Sequence, residues 1–79
     1  KGYADIAIIP RDGKGSFAVI ELKDELPDTD DDSMQSSADT AIEHIYQQRY
    51  FADLHGKLEL YGIATRQTDV FISHRTLDR

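Results

Sequence analysis

The chain has 79 residues, a net charge of −6 and no cysteine, and these totals exclude several classes of protein. Such a length forms at most one domain with a small core. The absence of cysteine excludes disulfides and cysteine-ligated metal sites, and it is compatible with an intracellular setting, cytoplasmic or nuclear. No run reaches the roughly 20 apolar residues that span a bilayer, so we expect no membrane partner. The acidic charge argues against a protein that binds nucleic acid through surface charge alone.

The first part of the sequence predicts an antiparallel β-hairpin. Residues 3–10, YADIAIIP, are rich in strand-forming residues and end at a proline. The following RDGKG supplies the Gly and Asp residues that a short hairpin connection needs, and residues 16–23 form the second predicted strand.

An acidic segment and a helix are predicted next. Residues 24–37 contain proline, several acids and serines without periodicity, which indicates a loop. Residues 38–54 carry apolar residues at the i, i+3, i+4, i+7 spacing of an amphipathic helix. The candidate caps are Ser36, Ser37 and Asp39 at its start and Gly56 at its end.

The last part of the sequence predicts two more strands. Residues 58–64 alternate and then become apolar, residues 70–73 form a short apolar run, and residues 74–79 resemble a frayed end. Together these elements predict an α/β fold with a hairpin, one helix and further strands. We expect residues 1–79 to be a single domain or a fragment of one, and the start at Lys1, directly before a predicted strand, leads us to expect a longer parent protein.

One face of the second predicted strand changes from apolar to charged along its length. Side chains alternate across a strand, so Phe17, Val19, Glu21 and Lys23 share a face that begins apolar and ends charged. Charged residues at i and i+2 are common on solvent faces, and a surface ion pair is the simplest interpretation. The partner strand, however, has a single charged residue, Asp5, near the end that a hairpin brings beside Glu21 and Lys23.

The register of the hairpin decides whether these groups meet. A loop of residues 13–15 sets Asp5 opposite Lys23. A register shifted by two residues, which keeps every side chain on its face, sets Asp5 opposite Glu21. A slip of one residue sends Asp5 to the other face of the sheet. The sequence leaves these registers open.

Two neighbouring carboxylates suit a divalent cation, which offsets their mutual repulsion. Mg²⁺ prefers oxygen ligands, and Asp5, Glu21 and the backbone carbonyl of Leu22 would supply them. The ammonium of Lys23 could stabilise charge that develops on a phosphoryl group or help to orient the attacking water. This chemistry predicts metal-assisted hydrolysis of phosphodiester bonds.

The same residues carry a family resemblance. The chain contains, in this order, GYADIAII, a turn, FAVIELK and the predicted helix AIEHIYQQRY. Over roughly residues 2–72, this order resembles the signature of the PD-(D/E)XK nuclease superfamily. The likeness is greatest to the nuclease-like domain found C-terminal to AAA-ATPase-like domains. It implies a restriction-endonuclease-like core, Asp5 and Glu21 as metal ligands and Lys23 as the catalytic lysine. It further implies Mg²⁺ or Mn²⁺ as cofactor, nucleic acid as substrate, with DNA favoured over RNA, and an attached or partner ATPase-like domain.

The resemblance departs from the family pattern at two places. Related nucleases often carry a Gln and then a Tyr on the helix after the E-x-K strand; Tyr50 matches here, but His44 stands at the Gln position. A histidine there can donate a hydrogen bond or bind metal. The family's N-terminal helix and first core strand have no counterpart, so the core is partial or is completed by another chain or by swapping in a homo-oligomer.

Two alternatives to a nuclease follow from the same residues. The first is a catalytically inactive module that keeps the fold for binding or oligomerisation. The second is a purely structural hairpin domain in which Glu21 and Lys23 form surface ion pairs worth about 0 to 1 kcal/mol.

Overall fold

The computed structural model describes residues 3–8, 16–48 and 56–78, which form four strands and one helix. The elements are β1 (Tyr3–Ile8), β2 (Ser16–Asp24), α1 (Asp31–Gln48), β3 (Lys57–Arg66) and β4 (Asp69–Asp78). The strands form one sheet in the order β1-β2-β3-β4. β2 and β3 are parallel, with α1 between them in the chain, and both outer pairs are antiparallel. The predicted mixed α/β fold, including its hairpin, is confirmed.

The helix packs against one face of the sheet and buries two groups of side chains there. The larger group, which we call the apolar cluster, consists of Phe17, Val19, Ile42, Ile45, Leu58 and Leu60. The smaller group consists of Met34, Ala38 and Ala64, with Phe71 packed against it. Burial of apolar area on this scale is the main force that holds a single helix on a sheet. Within the described residues, no helix has the length and apolar content needed to cross a bilayer.

A glycine allows the helix to approach β3 closely. A Cβ atom built on Gly62 would lie 2.0 Å from the backbone oxygen of Ala38 and 3.0 Å from the Cβ of Ala41. No side chain fits in that space, so the small residues on both elements set the distance between helix and sheet. Gly62 pairs with Glu21 of β2 in the parallel register, which places this contact level with the candidate site.

The helix begins earlier than the sequence predicted. Its first residue is Asp31, so the second half of the predicted acidic loop, residues 24–37, is helical, and the predicted start at residue 38 is wrong. Asp30, rather than Ser36, Ser37 or Asp39, is the cap: its Oδ1 accepts the backbone N–H of Ser33 at 2.7 Å. The predicted helix end, near residue 54, lies outside the described residues.

The last strand is longer than predicted. β4 continues to Asp78, so residues 74–78 are not a frayed end. Cross-strand contacts on β3 hold this polar part: His74 stacks on Tyr61 with ring centroids 4.6 Å apart, and Thr76 donates to Glu59 at 2.7 Å. Such pairs stabilise this polar part of the strand, which has few apolar side chains.

The opposite face of the sheet carries exposed apolar side chains. Ile6, Val70 and Ile72 are 45%, 58% and 56% exposed, and the register places Ile72 beside Ile63. Within the described residues no helix covers this face, although parallel strand pairs are usually covered on both sides.

Candidate active site

The helix-facing side of β2 changes from apolar to charged half-way along the strand. Phe17 and Val19 belong to the apolar cluster, and the next residue on that face, Glu21, is 0% exposed. Lys23 follows on the same face and is half-buried. Glu21 is therefore a core residue, and the predicted interpretation of a surface Glu–Lys pair does not hold for its carboxylate.

The hairpin register brings Asp5 to the candidate site. Asp5 of β1 pairs with Glu21 of β2, and Tyr3 pairs with Lys23. Of the registers left open by the sequence, the structure has the one that sets Asp5 opposite Glu21. Directly opposed positions of an antiparallel pair lie on the same face of the sheet, so the backbone places both acids and Lys23 on the helix-facing side.

The helix supplies a second polar group to Glu21. Nδ1 of His44 is in hydrogen-bonding contact with Oε2 of Glu21. His44 is partly exposed, while Glu21 is fully buried, so the histidine lies between the carboxylate and solvent. A buried carboxylate is costly unless polar or charged groups surround it, and His44 is one such group.

A second carboxylate contacts the lysine and is itself held by a buried serine of the helix. Nζ of Lys23 lies 3.5 Å from Oε2 of Glu25, and the hydroxyl of Ser37 on α1 donates to the same oxygen at 2.6 Å. Ser37 is only 6% exposed. The Ser37 hydrogen bond, with a smaller contribution from the Lys23 ammonium, holds the pKa of Glu25 below its ordinary value, so this carboxylate is ionised at neutral pH.

The backbone fixes the position of Glu25. Its N–H donates to the carbonyl oxygen of Thr65 at 2.8 Å, which extends the pairing of β2 with β3 by one residue. The hydroxyl of Thr65 also donates to Asp24 at 2.8 Å. Glu25 is thus anchored to the sheet at its backbone and to the helix at its side chain.

The candidate site lies where the helix-covered part of the sheet meets β1. The backbone of α1 packs over β2, β3 and β4, and within the described residues it does not approach β1. Ala7 is exposed although it pairs with Val19 of the helix-facing side. The side chains of Lys23 and His44 are 22% and 30% exposed, so a ligand could reach the charged end of β2 at these two residues.

The remaining predicted site residues are placed as follows. Leu22 lies in β2 between Ala4 of β1 and Ile63 of β3. Tyr50 lies outside the described residues. No group of three or more potential metal ligands is found among the described side chains, which do not include that of Asp5.

Two residues of the candidate site did not emerge from the sequence as site residues. Glu25 was assigned to the acidic loop and Ser37 to the group of candidate helix caps. Two periodicities could have identified them: Glu25 continues the alternation of Glu21 and Lys23, and Ser37 lies seven residues before His44 on the same edge of the helix.

Comparisons of this chain with protein-family models, curated proteins and solved structures found no match.

Proposed function

We propose that this chain is a metal-dependent nuclease domain of the PD-(D/E)XK type that hydrolyses phosphodiester bonds in nucleic acid. The observation that carries the proposal is the fully buried Glu21 with Asp5 at the facing position of β1 and Lys23 two residues further along the same face. A small domain gains no stability from this concentration of charge beside its core, whereas a catalytic centre requires it.

The donor set fits a hard divalent cation. Asp5 and Glu21 would bind Mg²⁺ or Mn²⁺ with help from the carbonyl of Leu22, because these ions prefer oxygen ligands. When bound, such an ion lowers the pKa of a coordinated water and neutralises charge on the phosphoryl oxygens.

The chain's own residues have separate tasks in this proposal. Lys23 stabilises the charge that develops on the phosphoryl group and orients the attacking water. His44, in contact with Oε2 of Glu21, fixes the rotamer of that carboxylate and takes the place of the glutamine of related nucleases. Substrate would approach the site at the partly exposed side chains of Lys23 and His44. We further propose DNA rather than RNA as substrate, an attached or partner ATPase-like domain, and an intracellular setting.

An inactive module for binding or oligomerisation is the second candidate. The exposed apolar face of the sheet, with Ile6, Val70 and Ile72, favours it, because large apolar side chains on one face are typical of interaction surfaces. Under this alternative the charged site is a remnant of the fold and has no substrate.

A nuclease assay with metal titration tests the proposal. The protein is incubated with plasmid DNA, single-stranded DNA and RNA in EDTA, Mg²⁺ or Mn²⁺. We expect metal-dependent cleavage of DNA that Lys23→Ala and Asp5→Ala reduce by at least about 1,000-fold. Lys57→Ala is the matched control, since this exposed lysine lies at the far end of β3 and pairs with Glu59; it should retain full activity.

Metal binding is measured separately from cleavage. Mg²⁺ should raise the thermal midpoint of the wild type and leave that of Glu21→Gln unchanged, because only a protein with an intact site gains stability from the ligand. Equal cleavage by all variants would identify a contaminating nuclease and reject the proposal. Absence of cleavage on every substrate would favour the inactive module.

A further inference from the structure

The lysine of the candidate site has its own supporting group on the helix. Lys23, Glu25 and Ser37 form a chain of contacts from β2 to α1, with 3.5 Å between Lys23 Nζ and Glu25 Oε2 and 2.6 Å between Ser37 Oγ and that same oxygen. None of the motif residues that carry the family resemblance includes Glu25 or Ser37. The arrangement therefore needs its own explanation.

We propose that Glu25, held by Ser37, is a positioning residue that fixes the ammonium of Lys23 at the charged end of β2. This inference rests on the proposed function, since it assigns a role within the same site.

Burial supports a specific role for the serine. Ser37 is 6% exposed and lies on the helix face that contacts the sheet, where an alanine would pack without cost to the core. Its hydroxyl instead donates to a carboxylate, and charge-assisted hydrogen bonds of this kind are short and strong. The neighbouring Ser36 is exposed, so the chain offers a matched control one residue away.

Restraint of the lysine supports a role in catalysis. A lysine side chain has a flexible four-carbon stem and loses much conformational freedom when its amine is held in one place. Glu25 provides this restraint before substrate binds, because its own backbone is fixed to Thr65 and its side chain to Ser37. Preorganisation of a charged group towards the reacting atoms is a large source of rate acceleration.

The kinetic test compares four variants of the active protein. Glu25→Gln and Ser37→Ala should lower kcat by about 10- to 100-fold with KM unchanged, because displacing a catalytic group by about 1 Å can cost about 100-fold in rate. Ser37→Thr, which keeps the hydroxyl, should restore most of the rate, and Ser36→Ala should have no effect. In a Lys23→Met background, Ser37→Ala should cause no further loss, because the interaction acts through the lysine. An unchanged or increased kcat in Glu25→Gln would overturn the inference.

A second measurement does not depend on nuclease activity. The rate of acetylation of each lysine by acetic anhydride is followed by peptide mass mapping, with Lys57 as the internal reference and circular dichroism as the check on folding. Glu25→Gln and Ser37→Ala should each raise the labelling rate of Lys23 severalfold relative to Lys57, because the amine leaves its ion pair. Equal rates in wild type and variants would show that Glu25 does not hold the lysine. Faster labelling together with an inactive wild type would instead reject the nuclease while retaining the contact.

Discussion

The helix-facing side of β2 has two halves that lie against the same helix, yet the two halves differ in chemistry. In the first half, the apolar cluster joins Phe17 and Val19 of β2 to Ile42 and Ile45 of α1. In the second half, the corresponding positions of β2 are Glu21 and the charged residues after it. The backbone geometry is continuous across the boundary, as the unbroken pairing of β2 with β3 indicates.

The difference separates the part of β2 that stabilises the fold from the part that forms the candidate site. The apolar half gains free energy from burial, whereas the charged half has to desolvate carboxylates and an amine. The charged half contains its own polar contacts from the helix, at His44 and Ser37, so its groups are held in defined positions rather than left in contact with apolar neighbours. Selection for stability alone would favour apolar residues at these positions, which is why we interpret this half as functional.

The contact at Gly62 should give the largest effect on stability. It lies at the boundary of the two halves, and Gly62→Ala would place a methyl group 2.0 Å from the backbone oxygen of Ala38. Backbone cannot give way as a flexible side chain does, so the helix must move off the sheet. We expect a loss of more than about 4 kcal/mol in the free energy of unfolding, measured by urea denaturation, or no folded protein.

The control for this variant is Ser73→Ala, at the position paired with Gly62 on β4. It should change stability by less than about 1 kcal/mol. A Gly62→Ala protein as stable as the wild type would contradict the close approach of helix and sheet.

Two substitutions, one in each half, compare what the apolar and charged halves contribute to the free energy of unfolding. Leu60→Ala removes a fully buried side chain from the apolar cluster and should cost about 2 to 5 kcal/mol. Glu21→Gln removes a charge from the other half, where Asp5 faces it, and should raise the free energy of unfolding by about 1 kcal/mol in metal-free buffer.

The same urea denaturation experiment, with EDTA present, gives both values. Added Mg²⁺ should reverse the order of wild type and Glu21→Gln, because only the wild type keeps the complete ligand set. If Glu21→Gln were as destabilising as Leu60→Ala in metal-free buffer, the carboxylate would be a structural group, and the contrast between the two halves would fail.

Much of this fold is predictable from periodicity. The strand-like runs and the i, i+3, i+4 spacing of α1 correctly indicate four strands and a helix, because burial on one face imposes the periods of β2, β3 and α1. The start of α1 was missed because residues 31–33 are polar and resemble a loop. Met34, four residues before Ala38, and the acids of the first turn were the available signals, since carboxylates favour a helix N-terminus.

The candidate site is predictable only in part, for a different reason. Strand alternation places Glu21 and Lys23 on one face, but it does not choose the register of the hairpin, and a slip of one residue would send Asp5 to the other face. Contacts between elements, such as Ser37 with Glu25, depend on the rotation of α1 over the sheet. The close approach at Gly62 limits that rotation, and nothing in the local sequence near Ser37 encodes it.

The smallest expected effect concerns Asp30, a carboxylate that stabilises the fold, in contrast to the buried carboxylate of Glu21. Asp30 is exposed, and its pKa is held below the ordinary value chiefly by the backbone N–H of Ser33 that it accepts. Asp30→Ala should lower the urea midpoint at neutral pH by less than Leu60→Ala does, because a single helix cap is lost. Asp28→Ala, in the preceding turn, is the control and should leave the midpoint unchanged.

The pH dependence of this difference has a defined sign. Because the pKa of Asp30 is lower in the folded state than in the unfolded state, its contribution is complete above the unfolded pKa and disappears as pH falls through the folded pKa. The midpoints of wild type and Asp30→Ala should therefore converge in strong acid. A gap between wild type and Asp30→Ala that persisted in acid would mean that the side chain acts through packing and not through its charge.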